Sequence, residues 1–138
     1  ERMEGNSMDI KEFLPGYDKH EFYSIVGEFF AERKYKKEMP YLVNDDDKSW
    51  NLFYNRNSLA GFYAYADKKD ITEISGFYVL PESRGIGVGT EMLKDIVRRF
   101  RAVRIISNSQ GMISMLEKHG FSEIGARGSY KTMEWRDS

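Results

Sequence analysis

The chain contains no cysteine. Disulfide cross-links and thiolate chemistry are therefore excluded. Histidine is nearly as scarce. His20 and His119 are the only two and stand far apart in the sequence. Neither a zinc site nor a Ser/His/Asp triad is expected from them, and no metal ligands are assigned. No apolar run approaches the roughly 20 residues that a membrane-crossing helix needs, and no segment reads as a signal peptide. The formal net charge of −1 gives no global attraction to nucleic acid or an acidic membrane. What remains is a soluble protein, expected in the cytoplasm, with no membrane partner and no nucleic-acid partner selected by bulk charge.

The 138 residues, 41% of them hydrophobic, suit one domain with its own core. Residues 1–8 read as a tail or as appended residues, with Met8 as a natural start, and 9–138 as the domain. Met8 to Leu14 form a first short strand, ended by Pro15 and Gly16. Asp18 can cap a helix whose apolar face is Phe22, Ile25, Val26, Phe29 and Phe30. A polar segment follows and is broken at Pro40. The acidic run Asp45 to Asp47 reads as a solvated loop; folded over a cleft, it would favour a cationic acceptor. "WNLFY" and "LAGFYAYA" flank "NRNS", which is a hairpin signal. A third strand runs from Ile71 to Leu80, and Gly76 inside it suggests a bulge or a close approach.

Beyond it lies "VLPESRGIGVGTEML", Val79 to Leu93. Three glycines in five residues carry an entropic cost that something must offset. Gly85, Gly87 and Gly89 allow several N–H groups to turn to one side. The helix that follows adds its own free N–H groups and dipole, which together suit a pyrophosphate. Arg84 can add a charge-assisted contact and Thr90 a hydroxyl. A helix start that is merely rich in glycine is the bland alternative, although one glycine would serve it.

The rest of the chain alternates. Leu93, Ile96, Val97 and Phe100 mark one helical face, and "VRIIS" is a short buried strand. Met112, Met115, Leu116 and His119 recur at helical spacing before a Gly120 stop. Two strands near "FSEIGA" and "YKTMEW" close the chain, with Gly128 between them. Arg98, Arg99 and Arg101 read as a solvated helix end, since cations are favourable there. The aromatics of the hairpin read as sheet core, and His119 as structural.

Competing phosphate loops fail on spacing. No G-x-x-x-x-G-K-[ST] string exists, and the glycines run G-x-G-x-G rather than G-x-G-x-x-G. The remaining pattern, R-x-x-G-x-G, is filled by Arg84, Gly87 and Gly89. It resembles the coenzyme A loop of the GCN5-related N-acetyltransferase (GNAT) family. "FYVLPESRGIGVG" is similar to that family's fourth-strand pattern, and "LEKHGF" to its late Tyr-x-Lys-x-Gly-Phe. The element order agrees over roughly residues 9 to 136.

The resemblance implies an α/β fold with a GNAT-like mixed sheet. Antiparallel N-terminal strands would lead to a βαβ crossover at the glycine loop, with helices on both faces. It implies acetyl-CoA as cosubstrate and transfer to a primary amine by direct attack. Coenzyme contacts would fall on Phe77, Tyr78, Val79, the loop Arg84, Gly85, Ile86, Gly87, Val88, Gly89 and Thr90, and on Asn108 and Ser109. Glu73 matches the position of a glutamate base in some members. Alternation puts Glu73, Phe77 and Val79 on one face unless Gly76 bulges; a solvated edge glutamate is the alternative. The family's proton-donating tyrosine falls on Leu116, which has no proton to donate. Water, Tyr130 or Tyr78 would then protonate the thiolate. Alternatively, the domain binds acyl-CoA or a protein partner without catalysis. The last hairpin allows a monomer or a homodimer.

Overall fold

The computed structural model describes residues 8–137. The expected tail lies outside them except for Met8, which already pairs with Asn55 in the first strand. In chain order the elements are β1 (Met8–Phe13), α1 (Lys19–Ala31), α2 (Arg33–Glu38), β2 (Ser49–Asn55), β3 (Ser58–Asp67), β4 (Thr72–Val79), α3 (Val88–Arg99), β5 (Ala102–Ser107), α4 (Gln110–Lys118), β6 (Ser122–Arg127) and β7 (Tyr130–Arg136). A single 3₁₀ turn at Pro81–Ser83 joins β4 to the glycine loop. The strands form one sheet in the order β1-β2-β3-β4-β5-β7-β6. β4 and β5 pair parallel, and the other neighbours pair antiparallel.

Local chemistry explains the boundaries. The Asp18 carboxylate accepts hydrogen bonds from the His20 and Glu21 amides, which caps α1. The β2–β3 turn places Arg56 and Asn57 at φ 52° and 71°, the two positive dihedrals of a type I′ hairpin. At the end of α4, Gly120 has φ 90°. The Phe121 amide reaches the Leu116 carbonyl at 3.0 Å, which closes the helix.

Two cores flank the sheet. On one face α1 buries Phe22, Val26 and Phe29 against Trp50, Leu52, Phe62 and Tyr78. On the other, α3 buries Met92, Leu93 and Ile96, and α4 buries Ile113 and Leu116, against Tyr63, Ile74, Val103, Ile105 and Met133. Helices thus cover both faces, as the resemblance implies. The second core holds one charged group. Asp95 is buried and accepts from the Tyr63 hydroxyl at 2.9 Å, while Arg99 reaches it at 3.2 Å. Burial, and then the Asp95 carboxylate, push the Tyr63 phenol well above its ordinary range.

Glu73 does not share a face with Phe77 and Val79, because Gly76 bulges. Between Tyr78 and Ser75, β4 takes three steps while β3 takes two, from Phe62 to Ala64. Gly76 is the bulge, with φ 59°. Its extra residue reverses the alternation. Ile74 belongs to the second core and Tyr78 to the first. Phe77 and Val79 pack on the α3 side, and Glu73, next to Ile74, points to the α1 side with Tyr78.

Candidate functional site

β4 and β5 are in register over only three residues, from Thr72↔Val103 to Ile74↔Ile105. β4 then continues to Val79 and β5 to Ser107 without pairing to each other. Parallel strands that part in this way leave main-chain N–H and C=O groups unpaired, open to a ligand. A cleft of about 1120 Å³ occupies the gap. Its lining runs from the 77–79 segment of β4, across the glycine loop and the start of α3, to Ser107 and the start of α4.

The loop has the geometry that its glycines suggest. Gly85 and Gly87 stand at φ 79° and 95°, where side-chain-bearing residues are strained. A Cβ at either would meet nothing within 4 Å, so both face open space. Gly87 is the N-cap of α3 and offers no side chain to its amides. The first amide to bond inside the helix is that of Glu91, to the Gly87 carbonyl at 3.0 Å. The amides of Val88, Gly89 and Thr90 have no partner within the helix. These three residues line the cleft, where free amides and the positive end of a helix dipole suit an anion. Gly89 packs differently: a Cβ there would sit 3.5 Å from Val79 and 3.7 Å from the Met115 sulfur.

Arg84 is tied back to the protein. Its Nε donates to the Val79 carbonyl at 2.9 Å, and a terminal nitrogen pairs with Glu38 at 2.9 Å. The guanidinium also lies 5.3 Å from the Tyr78 ring centre. Tyr78 is buried and donates its hydroxyl to the other Glu38 oxygen at 2.7 Å. Burial and the Glu38 carboxylate raise the Tyr78 phenol far above its ordinary value. The Tyr78 hydrogen bond, followed by Arg84, holds the Glu38 carboxyl below its ordinary value. This three-residue knot joins α2, the β4 end and the glycine loop.

Glu73 faces Arg104 at 3.4 Å, and Arg104 donates to Glu134 at 2.9 and 3.0 Å. Glu73 and Arg104 are register partners in the last paired stretch, so the cluster sits where the strands begin to part. Hydrogen bonding to Glu134 raises Arg104 above its ordinary value. Ser109 caps α4 by accepting from the Met112 amide at 3.2 Å.

The cleft therefore combines a glycine loop open to it with a splayed parallel pair. A family model described as "Acetyltransferase (GNAT) family" matches residues 14–121. The chain belongs to that family. No curated protein matches the sequence. Among solved structures, Escherichia coli ElaA shares the GNAT fold at TM-score 0.71 and 14% identity, over 94% of this chain and 99% of its own. A GNAT family acetyltransferase from Elizabethkingia anophelis with acetyl-CoA bound gives 0.68 and 16%, over 96% and 100%. Campylobacter jejuni N-acetyltransferase PseH in complex with acetyl coenzyme A gives 0.66 and 12%, over 95% and 99%.

Within this GNAT domain the residues singled out by sequence gather along one cleft. Glu73, Phe77, Tyr78, Val79, Arg84, Gly85, Gly87, Val88, Gly89, Thr90, Asn108, Ser109 and Tyr130 all line it. Ile86 does not, because its side chain packs against the second core. Leu116 is fully buried there as well, one position beyond Met115, which lines the cleft. Asp45 and Asp47 also reach the lining, whereas Asp46 turns to Lys19 at 2.8 Å. Sequence reasoning missed Glu38, Tyr41, Arg104 and Ile106. Their one legible signal was polar or apolar character without periodic support, which no local rule resolves. His119 is structural: its Nδ1 lies 2.9 Å from the Met115 carbonyl oxygen at the helix end. Among the described residues no helix is long and apolar enough to cross a membrane.

Proposed function

We propose that this GNAT domain, residues 9–138, is an acetyl-CoA-dependent N-acetyltransferase acting on a primary amine. The observation that carries the reading is the glycine loop. Two positive-φ glycines face open space beside three helix-start amides, at the mouth of a gap between parallel strands. That cradle fits a pyrophosphate, and the gap fits an extended amide-bearing arm that pairs with the β4 backbone at Phe77 to Val79. Acetyl-CoA supplies an activated acyl thioester. Complexes with acetyl-CoA in fold relatives support the assignment.

In this reading the chain's residues hold and orient. The amides of Val88, Gly89 and Thr90 neutralise phosphate charge, with the Thr90 hydroxyl nearby. Arg84 braces the loop through Glu38 and the Val79 carbonyl and stands at its rim. Asn108 and Ser109 border the far side. Glu73 takes a proton from the acceptor ammonium, directly or through water, and Arg104 fixes its position. Tyr130 is the proton donor to the departing sulfur, because Tyr78 has its hydroxyl committed to Glu38. A thiol near pKa 8.5 needs little help to leave. The test is calorimetric titration with acetyl-CoA, followed by free-thiol release with a panel of amines. Absence of coenzyme binding would overturn the reading.

A second reading rests on Leu116. Its burial in the core leaves the cleft without a tyrosine at the position where the family's donor falls. The domain would then bind acyl-CoA as a sensor or interaction module. Coenzyme binding without thiol release across the panel would favour it; release that disappears in Glu73→Gln would exclude it.

A further inference from the structure

The cleft wall away from the glycine loop presents apolar surface that the protein leaves uncovered. Tyr41, Ile106 and Tyr130 are 52%, 57% and 42% exposed, and all three line the cleft. They come from separate elements: the segment after α2, the end of β5 and the start of β7. Ile106 pairs directly with Thr132, and Tyr130 lies two residues earlier. Alternation therefore places Ile106 and Tyr130 on one face. That face is opposite to Ile105 and Met133, which are buried in the second core. Tyr41 lines the same cleft from the segment after α2. Burial, and then the Tyr130 phenol, raise its hydroxyl above the ordinary value.

Position relates this patch to the chemistry. Ile106 directly follows Ile105, the last β5 residue paired with β4. The apolar patch thus begins where the strands part. Charge does not organise this wall. The lining acids Glu38, Asp45, Asp47 and Glu73 each face a cation within 4.0 Å. A concave site that is internally neutralised and floored by aliphatic and aromatic groups favours an apolar body over a polycation.

We propose that the acceptor, given the acetyl transfer proposed above, is a primary amine on an aromatic body: an arylalkylamine. Its ring lies against Tyr41, Ile106 and Tyr130, and its nitrogen points to the parting of β4 and β5. There the free amine attacks the thioester carbonyl carbon. The C–N bond forms as the C–S bond breaks, and the sulfur leaves with the bonding pair. Of the two protons lost by the original ammonium, one ends on the sulfur and the other in solvent. The products are the N-acetylarylalkylamine and the coenzyme thiol.

The test uses the full chain. Calorimetry first establishes acetyl-CoA binding, and free-thiol release then compares 2-phenylethylamine, ethanolamine and spermidine. The expected kcat/KM for 2-phenylethylamine exceeds that of either polar amine by about tenfold or more, the usual scale of apolar-pocket discrimination. Tyr41→Ala and Ile106→Asn, both at exposed positions, remove that preference through KM and leave acetyl-CoA affinity within about twofold of wild type, since neither residue belongs to the glycine loop. Equal or better use of spermidine or ethanolamine overturns the assignment; coenzyme binding with no turnover of any of the three amines overturns it together with the transferase reading. Failure to bind acetyl-CoA overturns the underlying function instead.

Discussion

Ile74 and Tyr78 stand four residues apart on one strand yet enter opposite cores. In an unbroken strand they would share a face. The Gly76 bulge between them turns the α1 face of the cleft toward Glu73 and Tyr78 and the α3 face toward Phe77 and Val79. The same strand thereby offers a carboxylate to one side of the gap and apolar packing to the other.

Gly76→Ala is expected to destabilise the fold. Its φ is 59°, and a Cβ there would lie 3.1 Å from Leu42 and 3.3 Å from Trp50. The left-handed backbone alone costs about 1–2 kcal/mol. Urea denaturation should show a loss of at least that size. An unchanged midpoint would mean that the bulge is not required.

Gly87→Val should separate binding from folding. The position faces open space: a Cβ there would meet nothing within 4 Å. Stability should fall by only about 1–2 kcal/mol, from the backbone conformation. Coenzyme affinity should fall by about a hundredfold or more, or about 2.7 kcal/mol, because the side chain fills the cradle. Retained affinity in isothermal titration would remove the loop from the binding site.

Glu38→Gln should produce a pH-dependent difference from wild type. Tyr78 and Arg84 hold the Glu38 carboxyl below its ordinary value of 4.5. A lowered carboxyl stabilises the fold above its unfolded value, and that stabilisation disappears as pH falls through the folded value. The gap in thermal midpoint should therefore be constant near neutrality and close below about pH 4.5. Added salt should narrow it, since the Arg84–Glu38 pair is over 40% exposed. A gap that widens on acidification would contradict the assigned network.

Leu116→Tyr restores the residue type that the family uses as an acid, yet it should not raise turnover. The site is fully buried in the second core. Added volume there costs about 1–3 kcal/mol, and an unpartnered hydroxyl adds to it. The expected result is a lower unfolding midpoint with no gain in kcat. A gain would show that the side chain reaches the cleft.

Glu73→Gln and Tyr130→Phe test the proton path. Each should lower kcat, the first by about 10²–10⁴-fold, while acetyl-CoA affinity stays near wild type. If Glu73 only anchors Arg104, kcat will persist and stability will change slightly, as expected of an exposed ion pair.

Several features were readable along the chain because their causes are local. The Asp18 cap, the Arg56–Asn57 hairpin turn and the Gly120 stop depend on a few neighbouring dihedrals and hydrogen bonds. So does the glycine loop, whose R-x-x-G-x-G spacing separated it from other phosphate loops before any fold was known. The order of strands and helices followed from hydrophobic periodicity, and Gly76 announced its own irregularity.

Other features depended on which distant segments meet. Gly76 signalled a bulge, but only the register with β3 showed where the extra step falls and which face Glu73 takes. Arg84 fits the loop pattern by local spacing, but its pairing with Glu38, 46 residues earlier, depends on the fold. Arg104 and Ile106 carry no motif, and they enter the cleft because β5 leaves β4 after Ile105. The loop's chemistry lies in backbone conformations that the glycines alone permit, so consecutive residues specify it. The acceptor wall is assembled from three segments whose proximity comes from sheet order and strand splay, and no run of neighbouring residues encodes that arrangement.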